Sequence, residues 1–207
     1  MDRFEKCVEA TKDLQYCMSL LDVSRLVGDL VECVMEEQSV KTCYYACLRS
    51  CRGERCDAAC LGALEAALGV AVARDLARKA ALAALLMGLS PIDAAALAFN
   101  AEVKRVEEKD CPEREVASRV LAVAAVELYK YFKKVPGLRE QAQDVLLLMA
   151  PALSAAYRCV GEVFEYLDFI KPFVDEEAVN RIAAALEEGA AVVGGVTIKF
   201  EPVKAEQ

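Results

Sequence analysis

Eight of the ten cysteines in this chain lie within its first sixty residues, five of them between Cys43 and Cys60, and there is no histidine. Cysteine at this density is bonded to itself, bound to metal or kept reactive, and each fate demands a different backbone. Spacing helps to separate them. Zinc sites and thioredoxin-like centres place two residues between paired cysteines, and no such pair occurs here. An iron–sulfur cluster needs thiolates alone, so Cys47, Cys51, Cys56 and Cys60 keep that reading open, although cysteines four apart on a helix form a stripe rather than a wrapping loop. Thiol exchange also stays open, because Arg49, Arg52 and Arg55 surround Cys51 and Cys56 and would favour a thiolate. Structural bridges account for the most residues and are the expected use.

The bridges can be paired by register. Phe4, Cys7, Thr11, Leu14, Met18 and Leu21 recur at alternating spacings of three and four and form one face of a helix. The stretch DVSRLVGD then offers turn and capping residues, and Leu30, Cys33, Val40, Tyr44, Cys47 and Cys51 continue on a second helix, ended by Gly53 in RGER. A third helix starts near Cys56. If the first two helices are antiparallel, Cys7 with Cys43 and Cys17 with Cys33 lie symmetrically about Arg25. If the next two are antiparallel, Cys47 with Cys60 and Cys51 with Cys56 lie symmetrically about Gly53 and Glu54. Cys111 with Cys159 is a fifth pair by elimination. Eight cysteines allow 105 pairings, and the register selects one.

The nine-residue gaps between Cys7 and Cys17 and between Cys33 and Cys43 resemble the twin cysteine pairs of coiled-coil-helix-coiled-coil-helix proteins. That resemblance implies a small helical hairpin held by two bridges. The helices after Cys43 have no counterpart in the usual family member, and no function is carried over.

Helical signals continue almost without interruption. The third helix runs through LGALEAALGVAVARDLARKAALAALLMG to Gly88; Ser90, Pro91 and Asp93 start another that ends near Glu108. DCPERE opens a helix closed by VPG, and a long segment from Leu138 to about Phe169 contains Pro151, which should kink or split it. A last helix spans Asp175 to Gly189, and AAVVGGVTIKFEPV reads as a β-hairpin about Gly194 and Gly195. The expected fold is therefore all-α: disulfide-stapled antiparallel helical hairpins over 1–62, a helical bundle over 63–189 continuous with that first part, and a short C-terminal β-hairpin and tail over 190–207.

Composition bounds the function. A net charge of −8 and a pI near 4.8 oppose the basic footprint of a nucleic-acid binder. The charged opening MDRFEKCVEATKDLQYC shows no secretory signal. Two apolar stretches, Ala80–Phe99 and Val145–Tyr157, are read as core helices, because a helix start falls inside the first and the second is short, so membrane association is not expected. Only two asparagines and five glutamines occur, a hyperthermophile-like depletion of labile amides, and such cytosols tolerate disulfides. The expected setting is the cytoplasm of a disulfide-permissive thermophile, or a virion.

Without histidine there is no triad of the usual kind, and no phosphate-cradling glycine loop occurs. No catalytic residue, metal or cofactor is assigned. The expected role is a non-enzymatic structural or protein-interaction component within a larger assembly of a hyperthermophilic archaeon or its virus. The alternative is a thiol–disulfide redox or iron–sulfur protein using the Cys47–Cys60 cluster. A protein partner, or a second copy, is expected at the C-terminal strands through Val193, Val196, Ile198 and Phe200, unless the hairpin folds back on its own bundle.

Overall fold

The computed structural model describes residues 26–36, 39–51, 56–163, 167, 171 and 174–204. Residues 26–36 form helix α1, followed by α2 (Val40–Ser50), α3 (Cys56–Met87), α4 (Pro91–Glu107), α5 (Cys111–Lys134), a short α6 (Ala142–Val145), a 3₁₀ turn (Leu146–Leu148), α7 (Met149–Val160) and α8 (Glu176–Glu188). Strands β1 (Ala190–Val193) and β2 (Val196–Lys199) pair antiparallel, with Ala191 opposite Ile198 and Val193 opposite Val196. The fold is a set of disulfide-linked helices ending in a two-stranded hairpin. The expected helix over Phe4–Leu21 lies outside the described residues.

The chain forms two compact units, Met1–Ala71 and Val72–Gln207. The boundary falls inside α3 rather than at residue 62, because Ala63, Leu64 and Ala67 still belong to the first unit's core, whereas Ala73, Leu76 and Ala80 belong to the second's. The hairpin is no separate part: Ala191, Val193, Ile198 and Val203 are buried in the second unit's core.

Local signals explain most helix ends. The Asp93 amide donates to Ser90 Oγ at 3.1 Å, with Pro91 at the first helical position where no amide proton is needed. Gly161 and Gly189 close α7 and α8 in the left-handed conformation, with φ of 74° and 68°. Two expectations are corrected. The second helix is not continuous, because Ser39 is extended (φ −115°, ψ 107°) and caps a new helix, its side chain accepting from the Thr42 amide. The helix that contains Pro151 ends at Val160, with Leu167 helical again beyond the Gly161 cap, and the break in the segment precedes Pro151. The 3₁₀ turn ends at Leu148, so Pro151 sits in the first turn of α7, where its missing N–H costs no helical bond.

The second unit's core is built on α5 and α7, the most extensively packed pair of helices. Ala122, Ala124 and Ala125 on α5 and Ala150, Ala152, Ala155 and Ala156 on α7 are all buried, and such small side chains let helix backbones approach closely. The hairpin packs on α4, α7, α8 and the 3₁₀ turn. Its turn is pinned at a distance in sequence: the Gly195 amide donates to Asp93 Oδ1 at 2.7 Å. The following strap is held by Ser154 Oγ donating to the Glu201 carbonyl at 2.7 Å and by the Val203 amide donating to the Leu186 carbonyl at 2.8 Å.

Gly194 has φ +61°, and a Cβ there would lie 2.4 Å from Asp93 Oδ1 and 2.9 Å from Ile92 Cγ2. Gly194→Ala should therefore destabilise the protein by about 2–3 kcal/mol through strain and collision. Asp93→Ala, which removes the turn's anchor, should cost about 1 kcal/mol. The double variant should lose less than the sum, because one collision partner is then gone. Thermal melting checks this, and a Gly194→Ala protein that melts with the wild type would refute the close seat.

Candidate functional site

The cysteine cluster is organised by α2. Cys43, Cys47 and Cys51 recur every four residues, so they line one face of this helix and its C-cap, while Cys56 and Cys60 do the same on the first turns of α3. Cys47 is bonded to Cys60 with a Cα–Cα distance of 5.9 Å, and Cys51 to Cys56 at 5.8 Å. These are the two pairs expected from the register about Gly53; that reversal itself lies outside the described residues. Cys111 is bonded to Cys159, joining the start of α5 to the end of α7.

The other half of the expected pairing is overturned. Cys43 is bonded to Cys33, at a Cα–Cα distance of 5.7 Å, which rules out Cys7 with Cys43 and Cys17 with Cys33. The physical reason is the interruption at Ser39: α1 and α2 are separate helices, so the ten-residue separation closes on itself instead of reaching back across Arg25. A signal was present, since Glu36 and Glu37 interrupt the apolar stripe between Cys33 and Val40 and Ser39 follows as a capping residue. Cys7 and Cys17 lie outside the described residues. The twin-pair construction, with two bridges tying one pair to the other, is therefore not the one built.

These bonds are part of the packing. Cys43, Cys47 and Cys60 are buried with Leu30, Ala63, Leu64 and Ala67, and Leu26, Val27, Val31, Val34, Leu48 and Leu68 pack around them. Cys33, Cys51 and Cys56 are partly buried. A small cleft of about 90 Å³ lies along α1 and α2, lined by Leu26, Asp29, Leu30, Cys33, Cys43, Ala46, Cys47 and Ser50. That is well below the roughly 300–1,000 Å³ of a small-molecule site. Ser50 Oγ is occupied by the Cys47 carbonyl, to which it donates at 3.0 Å. Elsewhere on α2, partial burial and the neighbouring Asp57 carboxylate push the Tyr44 phenol above its ordinary pKa, keeping it protonated.

A sulfur held in a disulfide is neither a thiolate ligand nor a nucleophile. Among the described residues no group of three or more Cys, Asp or Glu side chains is placed to hold a metal ion. One helix among them, α3, is long and apolar enough to cross a membrane by length and composition. Its first turns carry Cys56 and Cys60, both bonded to α2, and its next turns bury Ala63, Leu64 and Ala67 against the hairpins. Of the stretches tested in the sequence, Ala80–Phe99 is broken at residues 88–90, and Val145–Tyr157 is buried core except for the partly exposed Tyr157.

The candidate interaction residues are also displaced. Val193 and Ile198 are fully buried, and Val196 and Phe200 pack partly buried against the same core. A lone hairpin is marginal in water and must cover its apolar face; here its own helices supply the cover. Those side chains are spent inside the chain, and Val192, on the outer face, is the large apolar residue the hairpin leaves exposed. Comparison with known proteins found no matching family model, no similar characterised protein and no similar solved structure.

Peptide mapping of the oxidised protein under acidic conditions should recover Cys33–Cys43, Cys47–Cys60, Cys51–Cys56 and Cys111–Cys159 as linked pairs. A peptide joining Cys17 to Cys33 would show that the helices reverse at Arg25 and not at Ser39.

Proposed function

We propose that the chain is a non-enzymatic structural and protein-interaction component, a disulfide-stabilised helical scaffold whose contribution to an assembly is a fixed shape. The observation that supports this reading is the burial of Cys43, Cys47 and Cys60 in the first unit's apolar core while all three are bonded. A thiol used in exchange has to be reached by its partner, and its sulfur is activated by exposure and positive charge. Sulfurs packed against Leu30 and Leu64 serve the packing instead. The partly buried Cys51–Cys56 bond and the Cys111–Cys159 bond, whose Cys111 is exposed, are the places where an exchange function would have to operate.

The two roles separate in a reduction experiment. As a staple, the Cys47–Cys60 bond closes a loop of 13 residues and contributes about 3 kcal/mol in the chain-entropy model. Mild dithiothreitol without denaturant should open Cys111–Cys159 and Cys51–Cys56 first and leave Cys47–Cys60 intact, as read by alkylation and mass. Full reduction in denaturant, followed by its removal, should yield a protein with a sharply lower melting temperature. Rapid opening of every bridge under mild reductant, with the melting curve unmoved, would instead favour a redox protein and dispose of the scaffold.

A further inference from the structure

The last turns of α3 are apolar on two opposite faces. Ala73, Leu76 and Ala80 point into the second unit's core. At 3.6 residues per turn, Leu82, Leu85 and Leu86 fall on the other side of the helix. They are 58%, 83% and 76% exposed, and Met87, at the helix end, is 70% exposed. Upstream, the same outward face carries Arg74, Asp75, Arg78 and Lys79, with Lys79 paired to Asp75 at 2.6 Å and to Glu102 at 3.3 Å. The solvated face thus changes to leucine within one turn, and from Ala80 to Ile92 the chain carries no charge.

Single exposed leucines are ordinary, but three on one face of a helix place roughly 400 Å² of apolar surface in water, within the range of the largest patches that a monomer usually shows. A helix apolar on both sides is normally covered on both.

We propose that Leu82, Leu85 and Leu86 form a self-association surface, covered by the same residues of a second copy of this chain in a two-fold dimer. Three observations select a second copy. The leucine patch alone supplies about half of the roughly 800 Å² that each partner gives to a stable interface. The surface is uncharged, so a chain of net charge −8 meets its own copy there with the least repulsion. Its leucines, spaced three and four apart on one helix, pair with themselves when two such helices lie antiparallel, which makes an isologous contact that closes at two chains. The flanking charges are of both signs, Asp75 and Glu102 beside Arg78 and Lys79, and form no basic collar of the kind that seeks an anionic lipid surface.

This inference goes beyond the scaffold reading and fails separately from it, because its readout is mass rather than bridge reduction. The test is analytical ultracentrifugation of the oxidised full chain up to about 500 µM, a range that reveals even a weak interface. The wild type should reach twice 22.5 kDa and no more. Leu85→Glu and Leu86→Lys, which add charge of opposite sign, should each weaken the dimer on the order of 100-fold or more, while helical circular dichroism and melting stay as in the wild type. Val192→Glu, on the hairpin's outer face, should leave the dimer intact. A wild type that stays monomeric throughout, a dimer that survives both leucine variants, or one broken by Val192→Glu alone would overturn the proposal. So would a monomer that floats with phosphatidylcholine vesicles and loses that binding in Leu85→Glu.

Discussion

The described part of the first unit depends on the row of sulfurs along α2. This helix is 11 residues long, and an isolated helix shorter than about 12–15 residues is marginal in water. Its described core holds four apolar side chains besides the three buried cysteines: Leu30, Ala63, Leu64 and Ala67. Two of these are alanine, which leaves little area to oppose chain entropy. The bridges supply the difference by constraining the unfolded chain. They also fix register, since Cys43 ties α2 to α1 while Cys47 and Cys51 tie it to α3.

The second unit is built on the opposite principle. Its core is large and continuous, and its one described bridge, Cys111–Cys159, lies at the ends of α5 and α7 rather than among the buried residues. Close helix packing through alanine does the work that sulfur does in the first unit. It leaves the ends of α4 and α8 and the 3₁₀ turn to be covered, and the hairpin covers them with Ala191, Val193 and Ile198. The Asp93 carboxylate ties that cover down from the first turn of α4, so the residue that helps start the helix also receives the turn that closes the fold.

Much of this was legible in the chain. Ser90-Pro91 marked the start of α4, Gly189 marked the stop of α8, and the Gly194-Gly195 pair marked the hairpin. All are local signals, readable because they act on the backbone within a few residues. The pairing of Cys47 with Cys60 and Cys51 with Cys56 was legible for a related reason, since a short reversal between two helices leaves one register. The pairing of Cys33 was misread because the apolar spacing seemed to run through Ser39. A single cap there outweighs a stripe that Glu36 and Glu37 had already broken.

Helix composition, cap residues and the closeness of cysteines across short turns were set by the sequence alone, because each is decided by atoms a few residues apart. Which faces are covered was decided only in the tertiary structure. Val193 and Leu85 are both large and apolar, and nothing in their immediate neighbours says that the first is fully buried while the second is 83% exposed. That difference depends on what packs from elsewhere in the chain: Val193 belongs to the core that distant helices close over, and Leu85 does not. Burial is a non-local quantity, fixed by the total surface that distant elements remove from water.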